Sequence, residues 1–191
     1  MNKHPLVKEI LFDHEQIRVE TKKVAEEIAK FYQTSHQVDN AIICLGLLKG
    51  SIPFMAEFLN NFNIDCETEY MITSSFYGGV KAKGVPEIKL DMLTPATNRD
   101  ILIIEDIIDS GNTLKLIRDY LLLKGAKTVK IVTLLDKKSG RKVDIDSDWT
   151  VFEIPDSFVV GFGLDYQEKL RNLPYIGIVD DNKLASWKWK Y

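Results

Sequence analysis

The chain has 191 residues, 45% of them hydrophobic and 28% charged, which suits one globular domain with a sizeable core. Its 25 Lys and Arg against 28 Asp and Glu leave a net charge of −3, which argues against a nucleic-acid partner gripped by a basic face. No apolar run reaches the ~18 residues of a membrane helix, and Met1 to Pro5 lead into no apolar signal core; no membrane partner and a cytoplasmic location are expected.

In chain order, Asp13 is a helix N-cap with Gln16 three residues on as its capping-box partner. Ile17, Val24, Ile28 and Phe31 recur at helical spacing, so 14–34 reads as an amphipathic helix. The apolar run 41–46 suggests a strand buried on both faces, and Gly46 and Gly50 bracket Leu47-Leu48-Lys49 before a helix that starts near Ser51 with Pro53 in its first turn. Residues 64–76 alternate as a strand, and residues 87–93 alternate again. Between them, 75–87 is a glycine-containing polar loop of the kind that forms a flexible lid.

Asp100 to Glu105 is a further buried strand, 113–124 a helix closed by Gly125, and 128–135 a core strand. Strands are expected at 149–154 and 175–179, with a short helix near 167–173. Cys44 and Cys66 lie in apolar or alternating runs and read as reduced core thiols. With no Cys-x-x-Cys pair and with His4, His14 and His36 far apart, no zinc site is expected. Strand, helix, strand occurs twice, over 41–75 and 100–135. That is an α/β chain with a mostly parallel central sheet flanked by helices. Ligands in such sheets bind beyond the carboxyl ends of the strands, here at 46–51 and 105–113.

The second of these carries the chemistry. Ile101 to Ile104 run into Glu105 and Asp106, Asp109 follows three residues later, and Ser110-Gly111-Asn112-Thr113 opens a helix. Free amides at a helix start bind anions, phosphate above all. Gly111 permits close approach, while Ser110 and Thr113 add hydroxyl donors. Carboxylates beside a phosphate face hydroxyls or a cation, so Glu105 and Asp106 suit a sugar diol, directly or through Mg²⁺. An Asp at the place of Asp109 also serves, in many turns, as nothing more than a helix cap. Neither a Gly-x-x-x-x-Gly-Lys-Ser/Thr loop nor a complete dinucleotide loop is present, since Tyr166 stands where the third glycine after Gly161 and Gly163 would be.

The string from Ile104 to Thr113 resembles the phosphoribosyl pyrophosphate motif of the type I phosphoribosyltransferases. Leu48-Lys49-Gly50 resembles their pyrophosphate loop. Leu135-Asp136-Lys137-Lys138, Pro155 to Gly161, and Gly163-Leu164-Asp165-Tyr166 through Arg171-Asn172-Leu173-Pro174 are similar to the purine-recognition region of the branch that uses 6-oxopurines. The resemblance covers roughly residues 8–180. It implies a single domain over 1–191, with a purine-recognition and hood region over 136–191 and a flexible lid over 75–87. The implied activity is purine salvage: hypoxanthine or guanine reacts with phosphoribosyl pyrophosphate to give IMP or GMP and pyrophosphate, with Mg²⁺ as cofactor, in a homodimer or homotetramer.

Residue by residue, the resemblance implies that Ser110, Gly111, Asn112 and Thr113 hold the 5′-phosphate and that Glu105 and Asp106 hold the ribose hydroxyls. Asp109 is implied as the proton acceptor for the base. Leu48, Lys49, Gly50 and Arg171, with Ser75 and Phe76 of the lid, are implied for pyrophosphate, Phe76 standing where the family usually has a tyrosine. Lys137, Phe158 and Val159 are implied for the purine, and Glu105, Asp106 and Asp165 for metal. The tail Trp187-Lys188-Trp189-Lys190-Tyr191 has no counterpart in this reading.

Overall fold

The computed structural model describes residues 2–35, 41–73 and 87–189. The expected lid, with Ser75 and Phe76, therefore lies outside the described residues. The elements are β1 (Val7–Phe12), α1 (His14–Ser35), β2 (Ile42–Leu48), α2 (Ile52–Leu59), β3 (Cys66–Thr73), β4 (Ile88–Leu90), β5 (Asp100–Ile108), α3 (Asn112–Leu123), β6 (Thr128–Asp136), β7 (Trp149–Glu153), β8 (Val159–Val160), β9 (Ile176–Val179) and α4 (Asp181–Leu184). A single 3₁₀ turn spans Lys138–Gly140.

The main sheet has six strands in the order β4-β3-β2-β5-β6-β7. Every pair is parallel except β3 with β4. Its centre is β2 beside β5, with Cys44 opposite Leu102 and Gly46 opposite Ile104. Successive side chains on these strands feed opposite faces. Ile42, Cys44, Leu102 and Ile104 pack under α1 and α2 with Ile17, Ile28, Phe54 and Phe58. Ile43, Leu45, Ile101 and Ile103 pack under α3 with Leu114, Ile117 and Leu121. Two helical layers on one sheet are what the unbroken apolar runs required.

A second, antiparallel sheet of order β1-β9-β8 forms the hood. Of the stretch 136–191, β7 joins the main sheet, whereas the N-terminal β1 joins the hood by pairing Val7 with Val179 and Phe12 with Ile176. A third apolar cluster, including Leu6, Val160, Tyr175 and Val179, holds the hood together.

Two expectations need correction. Residues 167–173 form no helix. Gln167, Glu168 and Leu170 have φ of 53°, 62° and 73°, a left-handed backbone that a right-handed helix cannot contain, and the segment closes instead through bridges Gly161–Leu164 and Tyr166–Lys169. The alternating run 87–93 yields only the three residues of β4. Asp91 leaves the strand direction to accept hydrogen bonds from Tyr120 and Lys124 of the α3 end, and Met92 turns into the core.

The capping box before α1 is formed as the sequence implied. The Gln16 amide donates to Asp13 Oδ1 at 2.9 Å, and the Asp13 amide donates to Gln16 Oε1 at 2.9 Å. Because α1, with α2, covers one face of the sheet, Asp13→Ala is expected to lower global stability by about 0.5–2 kcal/mol, read as a lower urea midpoint at unchanged slope.

Candidate active site

The carboxyl ends of β2 and β5 open on a cavity of about 790 Å³ between the main sheet and the hood. Leu48, Lys49 and Gly50 line it from β2. Glu105, Asp106, Asp109, Ser110, Gly111 and Thr113 line it from β5 and the start of α3. Lys137, Phe158, Val159, Asp165 and Arg171 line it from the hood side. Asn112 is the first residue of α3, and its amide receives no direct place on the wall, facing Ser110 Oγ at 3.4 Å.

Local geometry explains why these residue types are needed. Gly111 caps α3 with φ of 80°, which favours glycine, and a Cβ there would lie 2.6 Å from Ile145 Cγ2. The turn is clamped from outside by Arg141, which the sequence reading missed. Its guanidinium donates to the carbonyls of Ile108 at 2.9 Å, Asp109 at 2.7 Å and Ile145 at 3.0 Å, and to Asp136 Oδ1 at 2.6 Å. Asp136 is buried, so this charge-assisted pair fixes the end of β5 against the end of β6. The signal available in the sequence was a lone arginine four residues beyond Lys137.

Glu105 and Asp106 form the floor. Glu105 is half-buried, but its Oε2 is wholly enclosed and has no hydrogen-bond partner among the described residues. Burial, then the neighbouring Asp106 charge, pushes the Glu105 carboxyl well above the usual range. Burial raises Asp106 to about 6, against the opposing pull of the Ile107 amide and the Arg171 charge. An enclosed carboxylate oxygen with no partner is a group that awaits a donor or a cation. Among the described residues no three or more His, Cys, Asp or Glu form a ready-made cage. A hard cation taking one or two carboxylates here, and its remaining oxygens from a ligand and water, fits this donor set.

The cationic groups are already paired with acids. Lys137 Nζ lies 2.9 Å from Asp109 Oδ2 and 3.7 Å from Asp156 Oδ1. Lys49 Nζ lies 2.7 Å from Glu168 Oε2. Arg171 lies 2.8 Å from Asp165 and 3.1 Å from Glu168, and donates to the carbonyl of Gly163 at 2.8 Å. Glu168 was also missed by the sequence reading. Its only signal was its spacing of three residues from both Asp165 and Arg171. In the fold its carboxylate bridges the two cations assigned to the same anion.

The phosphoribosyl transferase domain family matches residues 14–167. A hypoxanthine-guanine phosphoribosyltransferase of Streptococcus pneumoniae strain R6 is 45% identical over 175 residues, covering 92% of this chain and 94% of that protein. The crystal structure of a hypoxanthine phosphoribosyltransferase from Staphylococcus aureus superposes with a TM-score of 0.87 at 38% identity, covering 96% of this chain and 98% of that one. The hypoxanthine phosphoribosyltransferase of Trypanosoma cruzi, solved with its product IMP, gives a TM-score of 0.86 at 31% identity, covering 95% and 99%.

Since the Glu168 carboxylate competes with any anion for Lys49 and Arg171, Glu168→Gln is expected to tighten binding of inorganic pyrophosphate. Each partly exposed pair is worth about 0.2–1 kcal/mol, so the two together give roughly two- to thirtyfold. Isothermal titration checks this, and weaker binding would show that the carboxylate helps to hold the ligand rather than masking its site.

Proposed function

The chain belongs to the phosphoribosyltransferase family, and from that premise we propose that it serves purine salvage as a glycosyltransferase. It moves the 5-phosphoribosyl group of phosphoribosyl pyrophosphate onto hypoxanthine or guanine, giving IMP or GMP and pyrophosphate. One observation carries the choice of base. Lys137, a donor only, stands 2.9 Å from Asp109, an acceptor, in the cavity that Phe158 and Val159 also line. A 6-oxopurine carries its exocyclic oxygen and its imidazole nitrogen side by side on one edge. A donor and an acceptor in contact match that edge, with the ammonium on the oxygen and the carboxylate on the ring N–H.

The bond from the sugar carbon to the pyrophosphate oxygen breaks, and the bond to the purine nitrogen forms. The proton of the imidazole ring passes to Asp109. Ser110, Gly111, Asn112 and Thr113 offer amides and hydroxyls to the 5′-phosphate at the start of α3. Glu105 and Asp106 orient the ribose hydroxyls. Lys49, the amides of Leu48 to Gly50, and Arg171 take up the charge that grows on the departing pyrophosphate. Ser75 and Phe76 belong to this reading as lid contacts. Glu105 and Asp106 would hold Mg²⁺, with Asp165 available to a second ion, and the bound cation would add to the neutralisation of the pyrophosphate. Phe158 stacks on the base, and the Val159 backbone reads its edge.

The same reading treats 1–191 as one phosphoribosyltransferase domain, supported by a cleft whose lining draws on all three apolar clusters through Leu164, Ile108 and Phe158. It carries an assembly of two or four copies, supported by the outward apolar side chains of Leu93 and Leu123, 90% and 88% exposed. It places the enzyme in the cytoplasm, in keeping with the free thiols of Cys44 and Cys66. Among the described residues no helix is long and apolar enough to cross a membrane.

Product formation from phosphoribosyl pyrophosphate with hypoxanthine, guanine and adenine in turn tests the function. The first two are expected to react and adenine to fail, because its amino group leaves the Lys137 donor unpaired at about 1–3 kcal/mol or more. Lys137→Met should erase at least tenfold of that preference in kcat/KM, and an unchanged preference overturns the purine site. Asp109→Asn should fold normally and lose ~10²–10⁴ in kcat with hypoxanthine, whereas near-normal turnover removes Asp109 as the proton acceptor.

A further inference from the structure

The tryptophans near the end of the chain play no part in the reaction as described, yet they lie against the turn that supplies Asp165 and Arg171. That turn is unusual in its backbone. Gln167, Glu168 and Leu170 all have left-handed φ without being glycine, and such residues persist only where their surroundings over-determine them. The Trp189 indole Nε1–H donates to Gln167 Oε1 at 3.0 Å. The Lys169 ammonium lies 5.0 Å from the centre of the Trp189 ring and also donates to the carbonyl of Gln167 at 3.3 Å. The ring of Tyr166 is tilted against Trp189 at 6.0 Å. A single indole therefore touches three of the four residues that follow Asp165.

The other side of this segment is anchored to the hood. Trp187 packs edge-on to Trp189 at 5.8 Å and is tilted against His4 at 5.5 Å. Lys183 donates to the carbonyl of Pro5 at 2.9 Å. Leu184, Trp187 and Trp189 all pack on the hood cluster of Leu6, Val160, Leu170 and Tyr175. Inward, the turn presents Asp165, Glu168 and Arg171 to the cleft, and Tyr166 meets Phe158 edge-on at 5.9 Å.

We infer that the segment 185–189 is a positioning strap for the pyrophosphate site, with Trp189 as the residue that holds the turn 165–171 in its strained form so that Arg171 and Asp165 face the leaving group. The inference rests on the reading of Arg171 as a pyrophosphate ligand. Trp189 touches no substrate and acts through Gln167, Lys169 and Tyr166. Loosening the strap lets the turn relax, which withdraws a cation from the anion while Asp109, Lys137 and the α3 start are untouched.

The test compares wild type with Trp189→Ala, Trp189→Phe and Gln167→Ala in steady-state formation of IMP. Trp189→Ala is expected to raise KM for phosphoribosyl pyrophosphate about five- to sixtyfold, the worth of one hydrogen bond and one cation–π contact, with kcat at saturation within about twofold and KM for hypoxanthine nearly unchanged. Trp189→Phe keeps the ring and Gln167→Ala keeps the indole, so both should fall between the two. Unchanged KM for phosphoribosyl pyrophosphate in the three variants, or a loss confined to kcat, overturns the proposal. A second readout follows the strap in Trp149→Phe, where Trp187 and Trp189 are the remaining tryptophans. Their emission should shift on titration with inorganic pyrophosphate and Mg²⁺, and emission that ignores saturating pyrophosphate also overturns it. If wild type itself forms no IMP, the functional reading falls, and the pyrophosphate titration still decides on the strap.

Discussion

The site depends on three stretches of backbone passing where no side chain could stand. A Cβ on Gly50 would lie 1.7 Å from Asp106 Oδ2, and a Cβ on Gly163 would lie 1.9 Å from the carbonyl oxygen of Gly50. The loop after β2, the acidic end of β5 and the turn after β8 are thereby stacked at van der Waals limits, body against hood. That contact brings Lys49 from one element within 2.7 Å of Glu168 from another, 119 residues apart in sequence. A third close approach is at Gly140, where a Cβ would lie 1.5 Å from Asp109 Oδ1, the carboxylate that sits beside Lys137. At Gly163 a methyl group would meet backbone, and at Gly50 and Gly140 it would displace the carboxylates of Asp106 and Asp109, so small residues at these points let the charged side chains converge.

Convergence concentrates charge, and the fold manages it by pairing. Lys49, Lys137 and Arg171 each hold a carboxylate in reach. Glu105 and Asp106 are the exceptions, half-buried side by side and pushed toward the protonated form by loss of solvent. A cleft with paired cations and unpaired acids is prepared for a ligand that brings both anionic oxygens and hydroxyls. On the proposed function, the ligand's anions would exchange with the carboxylates, and its hydroxyls or a hard cation would satisfy the floor. Substrate binding would then be a rearrangement of ion pairs already made, which limits the desolvation penalty that three free cations would otherwise suffer.

Rigidity around this exchange comes from groups outside the cleft. Arg141 and Asp136 tie the carbonyls of Ile108 and Asp109 to the end of β6. Parallel pairing of Ile107 with Leu135 and Ile108 with Asp136 continues the sheet to the edge of the site. The acids thus stand on a strand buried on both faces rather than on a free loop, while the turn 165–171 on the other wall has only the short Tyr166–Lys169 bridge, the bond from the Gly163 amide to the Arg171 carbonyl and side-chain contacts to hold it. The two walls differ accordingly in what can move.

Much of this was legible in the residues themselves. The strands β2, β5 and β6 announce themselves because a strand buried on both faces must be apolar throughout, and α1 announces its start through Asp13 and Gln16. The stretch from Glu105 to Thr113 is equally local, since an acid pair, a third acid and a glycine at a helix start act through their own backbone. Three things were not legible. β1 contains the exposed Lys8 and Glu9, which break any apolar run, and it exists because β9 lies beside it from the far end of the chain. The stretch 167–173 reads as helix, but Gln167, Glu168 and Leu170 take a left-handed form that no local propensity favours, with Trp189 from the far end of the chain packed on Gln167 and Lys169. The clamp of Arg141 and the bridging of Lys49 and Arg171 by Glu168 depend on neighbours brought together only by packing. Hydrophobic periodicity and turn chemistry act over a few residues and can be read along the chain, whereas ion pairs and strained turns are set by what the fold places across from them.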